Sequence, residues 1–367
     1  MRNQYGIERS EGDAKRSCSR KTHKIRGGDN SGLLSNEGDC SLPLIGSIAY
    51  YLPLKDRRPC ADGLSDEMQR LAQAEMMVLR GECRGIARFY DSIGKDGRSF
   101  PLASQLAMIG AIIGDDAGLF DAVIKDIAAY PSRSGVPGAK RAVEFEMTWL
   151  RRFLHAQIGN RSQFIDFDFS SLPGAWRRPF GYLAVGGLRD CGELRAAAVL
   201  SDALLSLDAE RVMTCSSVDI GLKMEKAAIC LDEGHADEAA RWCRAAASSA
   251  KSINAVLPFV GELLGPKSMT ERAIAAEAPE LLRRIKKMES EYFRNLVKYH
   301  NRLTGESVTD ELTLREFFLA KSLKRGLRYK EIAGLLGVSE GRVHNMVVST
   351  YEALGVKCAA QIGGLVW

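Results

Sequence analysis

From Ser65 onward apolar residues return at spacings of three and four, a period that commits most of this chain to helices. Leu102, Leu106, Ile109 and Ile113 fall on one face; a Gly114-Asp115-Asp116 turn follows, and Leu119, Val123 and Ile127 resume the pattern. That is a helical hairpin. Others are expected around Gly81, with Leu71 and Val78 before it and Ile86, Tyr90 and Ile93 after, and around Gly234. At 367 residues the chain can hold one large domain or two to three ordinary ones. The predicted fold class is all-α, with stacked helical hairpins followed by a small four-helix domain.

Gly81 and Gly114 stand 33 residues apart. Leu231-x-x-Gly234-x-x-x-x-Ala239, followed by Ala246, resembles the inter-helix turn and small packing positions of a tetratricopeptide repeat. Only this copy follows the consensus well, so true repeats and merely similar hairpins both stay open. Stacked hairpins make a concave surface, and residues 65–300 read as a sensor or interaction domain for a small molecule or protein effector. Asn160 to Pro179 is the main interruption. Within it Trp176, beside Arg177 and Arg178 in an expected loop, is the better recognition candidate, whereas Trp149 and Trp242 lie in helical apolar stripes and suit core packing. Arg283-Arg284-Ile285-Lys286-Lys287 lies on an amphipathic helix and reads as its solvated back.

Residues 301–311 read as a linker, and 312–367 as a separate module. In Tyr329-Lys330-Glu331-Ile332-Ala333-Gly334-Leu335-Leu336-Gly337-Val338-Ser339, apolar pairs recur at helical spacing, Gly337 breaks the helix and Ser339 caps the next. A small Ala333 lets the following helix approach, as a helix-turn-helix needs. Upstream, Thr313 and Glu316 form a capping box; Phe317, Phe318, Ala320 and Leu323 supply a core face, and Gly326 suits a helix end.

With Leu312-Thr313-Leu314-Arg315-Glu316 before it and Leu354-Gly355-Val356 after it, the module resembles the LuxR-type helix-turn-helix family over residues 310 to 367. The resemblance implies double-stranded DNA as partner. His344, Asn345 and Val348 would face base edges, and Lys321, Lys324, Arg325, Arg328, Lys330 and Arg342 would contact phosphates. Arg342, His344 and Met346 stand where the family usually carries threonine, lysine and histidine; Ala353 and Arg328 also depart from its pattern. Family likeness further implies a homodimer paired through a closing helix near Ala359, although Gly363 and Gly364 weaken a helix there. The module's seven Lys plus Arg against four Asp plus Glu, from Leu312 to Val356, is a modest surplus that suits DNA.

Residues 1–64 are expected to form a disordered tail, being polar, glycine-rich and basic over the first forty or so. The apolar stretch from Leu42 to Leu54, with Pro43, Gly46 and Pro53, is too short to span a bilayer as a helix, and no membrane partner is expected. Nine scattered cysteines fit free thiols in a cytoplasmic protein. His155, His235 and His300 lack metal-motif partners, so neither a metal nor a cofactor is expected. Gly261-Glu262-Leu263-Leu264-Gly265-Pro266-Lys267-Ser268 has the wrong glycine spacing for a phosphate loop and reads as a helix-ending loop. Nothing here reads as an enzyme. The expected function is a one-component transcriptional regulator; a sigma-factor-like regulator and a helical-repeat scaffold with a degenerate helix-turn-helix are the alternatives.

Overall fold

The computed structural model describes residues 41–52, 54–55, 58–60, 62–156, 168–206, 216–261, 269–305, 312–324 and 326–362. Among these, fifteen helices form the fold: α1 (Asp66–Leu79), α2 (Ile86–Asp91), α3 (Phe100–Gly114), α4 (Ala117–Arg133), α5 (Ala139–Phe153), α6 (Gly174–Asp190), α7 (Leu194–Ser206), α8 (Ser217–Asp232), α9 (Ala236–Lys251), α10 (Met269–Glu277), α11 (Pro279–Thr304), α12 (Leu314–Lys324), α13 (Tyr329–Leu336), α14 (Glu340–Leu354) and α15 (Ala359–Ile362). A minimal antiparallel ladder pairs β1 (Leu54–Lys55) with β2 (Arg58–Pro59), Leu54 opposite Pro59 and Lys55 opposite Arg58. The architecture is all-α and stacked.

The expected hairpins form. Asp115 adopts φ 57 at the end of α3, and Asp116 accepts the Leu119 N–H at 2.9 Å to start α4. Gly234, at φ 84, turns α8 into α9, where Ala239, Cys243, Ala246 and Ala250 are fully buried and let the two helices pack closely. Beyond the hairpins, α3 is buried on every side from Phe100 to Ile113 rather than on one face, because α1, α2, α4, α5 and α11 all pack on it. Gly110 is the point of closest approach: a Cβ there would lie 2.3 Å from Ile86 Cγ2 on α2. Gly110→Ala is therefore expected to destabilise by about 1–3 kcal/mol through overpacking, despite the gain of about 1 kcal/mol in helix propensity that alanine brings. Urea unfolding checks this; an unchanged midpoint would mean that Ile86 can step aside.

Helix α11 closes the stack by returning to α3. Its Asn295 Nδ2 donates to the Ile112 and Ile113 carbonyls at 2.8 and 3.4 Å, which satisfies the end of α3. Tyr292 donates to the Phe153 carbonyl, and His300 Nδ1 lies 2.8 Å from the Leu154 carbonyl at the end of α5. A partly enclosed cavity of about 200 Å³ is lined by the helical domain together with Phe318, Lys321 and Ser322 of α12. Helix α11 continues through Thr304, so residues 301–304, expected as linker, are helical.

Two further expectations are corrected. Part of the expected tail is core: Leu44, Ile45 and Ile48 are buried, Trp176 donates to the Pro43 carbonyl at 3.0 Å, and Ser47 donates to Glu75 at 2.6 Å. Residues 1–40 lie outside the described ones. Trp176 is not in a loop but on α6, where it shares a face with Phe180 and Leu183 and is 2% exposed. Its period of three to four outweighed the flanking arginines. The expected loop at 262–268 lies outside the described residues, and among those described no helix is long and apolar enough to cross a membrane.

Candidate nucleic-acid interface

Local chemistry sets each helix of the C-terminal module. The Thr313 N–H donates to Glu316 Oε2 at 2.8 Å and the Glu316 N–H donates back to Thr313 Oγ1 at 3.4 Å, the reciprocal capping read from the sequence. Arginine carries no acceptor, so Arg328 cannot cap α13 with its side chain. Glu331 does so in its place, accepting the Arg328 backbone N–H at 2.7 Å and its guanidinium at 2.8 Å. Gly337 turns at φ 65, and Ser339 Oγ accepts the Arg342 N–H at 3.3 Å to open α14.

Ile332 and Leu336 from α13, with Val343 and Val347 from α14, pack on Phe317, Ala320 and Leu323 of α12. Burying Val343, Val347 and Thr350 turns the opposite side of α14 outward, so that His344, Asn345 and Val348 are exposed on one face. Val348 is 46% exposed, and Tyr329, 37% exposed, places its ring 6.1 Å from His344.

No protein-family model, curated protein or solved structure matches this chain. The face is therefore defined by its own geometry. Lys324, Arg328, Lys330 and Arg342 are exposed on the module's surface, with Arg328 engaged by Glu331; Arg325 lies outside the described residues. Lys321 goes elsewhere. It points at the helical domain, with Nζ 3.3 Å from His155 Nδ1, and is not placed as an outward phosphate contact. Burial, reinforced by the Lys321 charge, pushes the His155 imidazole well below its usual range, so the neutral ring can accept from the ammonium.

This junction was not read from the sequence. Phe318, which packs against the module's own core as expected, also meets Phe293 of α11 edge-on at 5.8 Å, and the His155 ring meets Phe317 and Phe318 at 5.5 and 5.8 Å. Tyr329 was also missed as a surface residue. Helix α12 thus has two partners, its own module and the helical domain, while the outer face of α14 stays exposed.

Proposed function

We propose that the chain is a cytoplasmic, one-component transcriptional regulator of the LuxR type, in which α14 reads double-stranded DNA and the helical domain senses an effector. The exposed trio His344, Asn345 and Val348 on one face of α14 carries this reading. Asn345 suits the paired donor and acceptor edge of adenine, and Val348 suits a thymine methyl. The exposed Lys324, Lys330 and Arg342 would neutralise phosphates and fix register. Two-fold pairing would set two copies of α14 about 34 Å apart and favour an inverted-repeat operator.

Fluorescence anisotropy of the full chain on DNA upstream of its own gene, and on sites selected from a random pool, tests the reading across salt. Asn345→Ala is expected to lose about 1–3 kcal/mol of discrimination at one base position. Arg342→Ala should weaken all sequences alike and lower the salt slope by about one. Salt-insensitive behaviour with every DNA would sink the regulator and favour a protein-interaction scaffold.

A further inference from the structure

We propose that the cavity between the helical domain and α12 binds a small uncharged aromatic amide, held by paired hydrogen bonds to the Gln105 side chain. Gln105 lies on α3, is 4% exposed and lines the cavity, and its side-chain amide has no hydrogen-bond partner among the described residues. A buried amide in that state has lost its hydration without recovering the bonds elsewhere, and a ligand that brings both a donor and an acceptor restores them. Primary and cyclic amides do so, because their N–H and C=O lie side by side and match the glutamine edge. Other polar side chains of the lining are already engaged: Glu75 accepts from Ser47 at 2.6 Å and from the Ile48 N–H at 3.0 Å, and Ser322 donates to the Phe318 carbonyl at 2.8 Å.

The charged groups around the cavity favour a neutral ligand. Arg152 donates to Glu225 and lies 3.4 Å from Asp190, while Arg189 reaches Glu225 at 3.3 Å and Asp232 at 3.0 Å. Lys321, the third cation, faces Asp190. Three cations therefore stand against three carboxylates, and a charged ligand would give up its hydration without meeting an unmatched partner. Size and shape favour one or two rings, since the cavity measures about 200 Å³, and an apolar space of about 150 Å³ already accommodates benzene. Trp149 stacks on Phe153 at 4.9 Å and 15°, Phe153 meets Tyr292 at 4.9 Å, and all three line the cavity with Phe318 of α12. Such walls take a further ring by face or edge. Apolar walls with one well-placed polar group are how small-molecule sites fix the orientation of what they hold.

Because Phe318, Lys321 and Ser322 belong to α12 and Leu335 to α13, an occupant touches the C-terminal module as well as the helical domain. Transmission to DNA rests on α14 being a recognition helix; ligand binding does not. Calorimetric titration of the full chain with benzamide, 2-quinolone and isoquinolin-1-one tests the site, each beside its fully N-methylated form, and with benzoate and quinoline-2-carboxylate as charged counterparts. At least one amide is expected to bind one-to-one, at least tenfold tighter than its methylated form and than either acid. Gln105→Met and Gln105→Leu, both apolar and of similar volume, should abolish the preference for the free amide over the methylated one. Each should melt no lower than the wild type, because it removes an unbonded buried amide; if one variant is overpacked and does not fold, the other decides. No saturable binding by any of the three amides, equal binding of the methylated forms or of the acids, a preference kept in a folded Gln105 variant, or a marked loss of stability in both variants would overturn the proposal. A bound amide should change the DNA Kd about fivefold or more. Ligand binding with an unchanged DNA Kd would overturn the coupling alone, and a chain that binds no DNA would remove the regulator reading while the calorimetry still decides the cavity.

Discussion

Replacing Arg152 with methionine is expected to lower the unfolding free energy by about 3–5 kcal/mol, the range seen when one partner of a buried ion pair is removed. The Arg152 side chain is 15% exposed and that of Glu225 is 3% exposed, so neither regains much water in the folded state. Burial alone would strip the guanidinium of its proton more easily; Glu225 and Asp190 more than reverse this. Without Arg152, Glu225 keeps only Arg189 at 3.3 Å, and Asp190 loses the contact at 3.4 Å. The loss should be largely relieved by adding Glu225→Met, because the stranded charge rather than the missing attraction carries most of the cost. Urea unfolding of the two variants distinguishes these terms. A single-variant loss below about 1 kcal/mol, typical of exposed pairs, would mean that water reaches the network.

How far such a network could be foreseen depends on what local sequence encodes. The all-α class, the turns at Asp115 and Gly234 and the caps at Thr313 and Ser339 were legible, because periodicity and capping act within one or two helical turns. The shared face of His344, Asn345 and Val348 was legible for the same reason, since burial of Val343 and Val347 fixes it. Contacts across the chain were not. Arg152 and Glu225 stand 73 positions apart, and neither spacing nor composition announces their pairing. Lys321 read as an outward cation because one face of α12 looked inward, whereas α12 has two inward sides, one toward its module and one toward His155. The segment 41–52 fell within the expected tail because regular helical patterning begins only at Ser65, and Pro43 and Gly46 interrupt its apolar run. In the structure they shape it into a plug: Gly46, at φ 76, lies so close to Pro179 that a Cβ would sit 2.7 Å from its ring.

That plug is held by a carboxyl group whose ionisation should make stability depend on pH. Ser47 Oγ donates to Glu75 Oε1 at 2.6 Å and the Ile48 N–H donates to Oε2 at 3.0 Å. Burial outweighs these bonds and raises the Glu75 pKa from 4.5 to about 7. Between those values the folded chain holds a proton that the unfolded chain has released, so stability falls as pH rises from about 4.5 and levels off above about 7. At 1.36 kcal/mol per pH unit the loss attributable to Glu75 is about 3 kcal/mol. Glu146, also buried and raised well above its usual range, shares the sign, so the wild-type slope alone is not diagnostic. Glu75→Gln isolates it: the amide oxygen can accept from Ile48 and the amide nitrogen can donate to Ser47, without a titrating group. Urea unfolding at pH 5 and pH 8 should show the variant losing less stability than the wild type by most of that amount. Equal losses in both proteins would mean that Glu75 stays ionised at pH 5, and that the plug is anchored by a solvated carboxylate rather than by a protonated one.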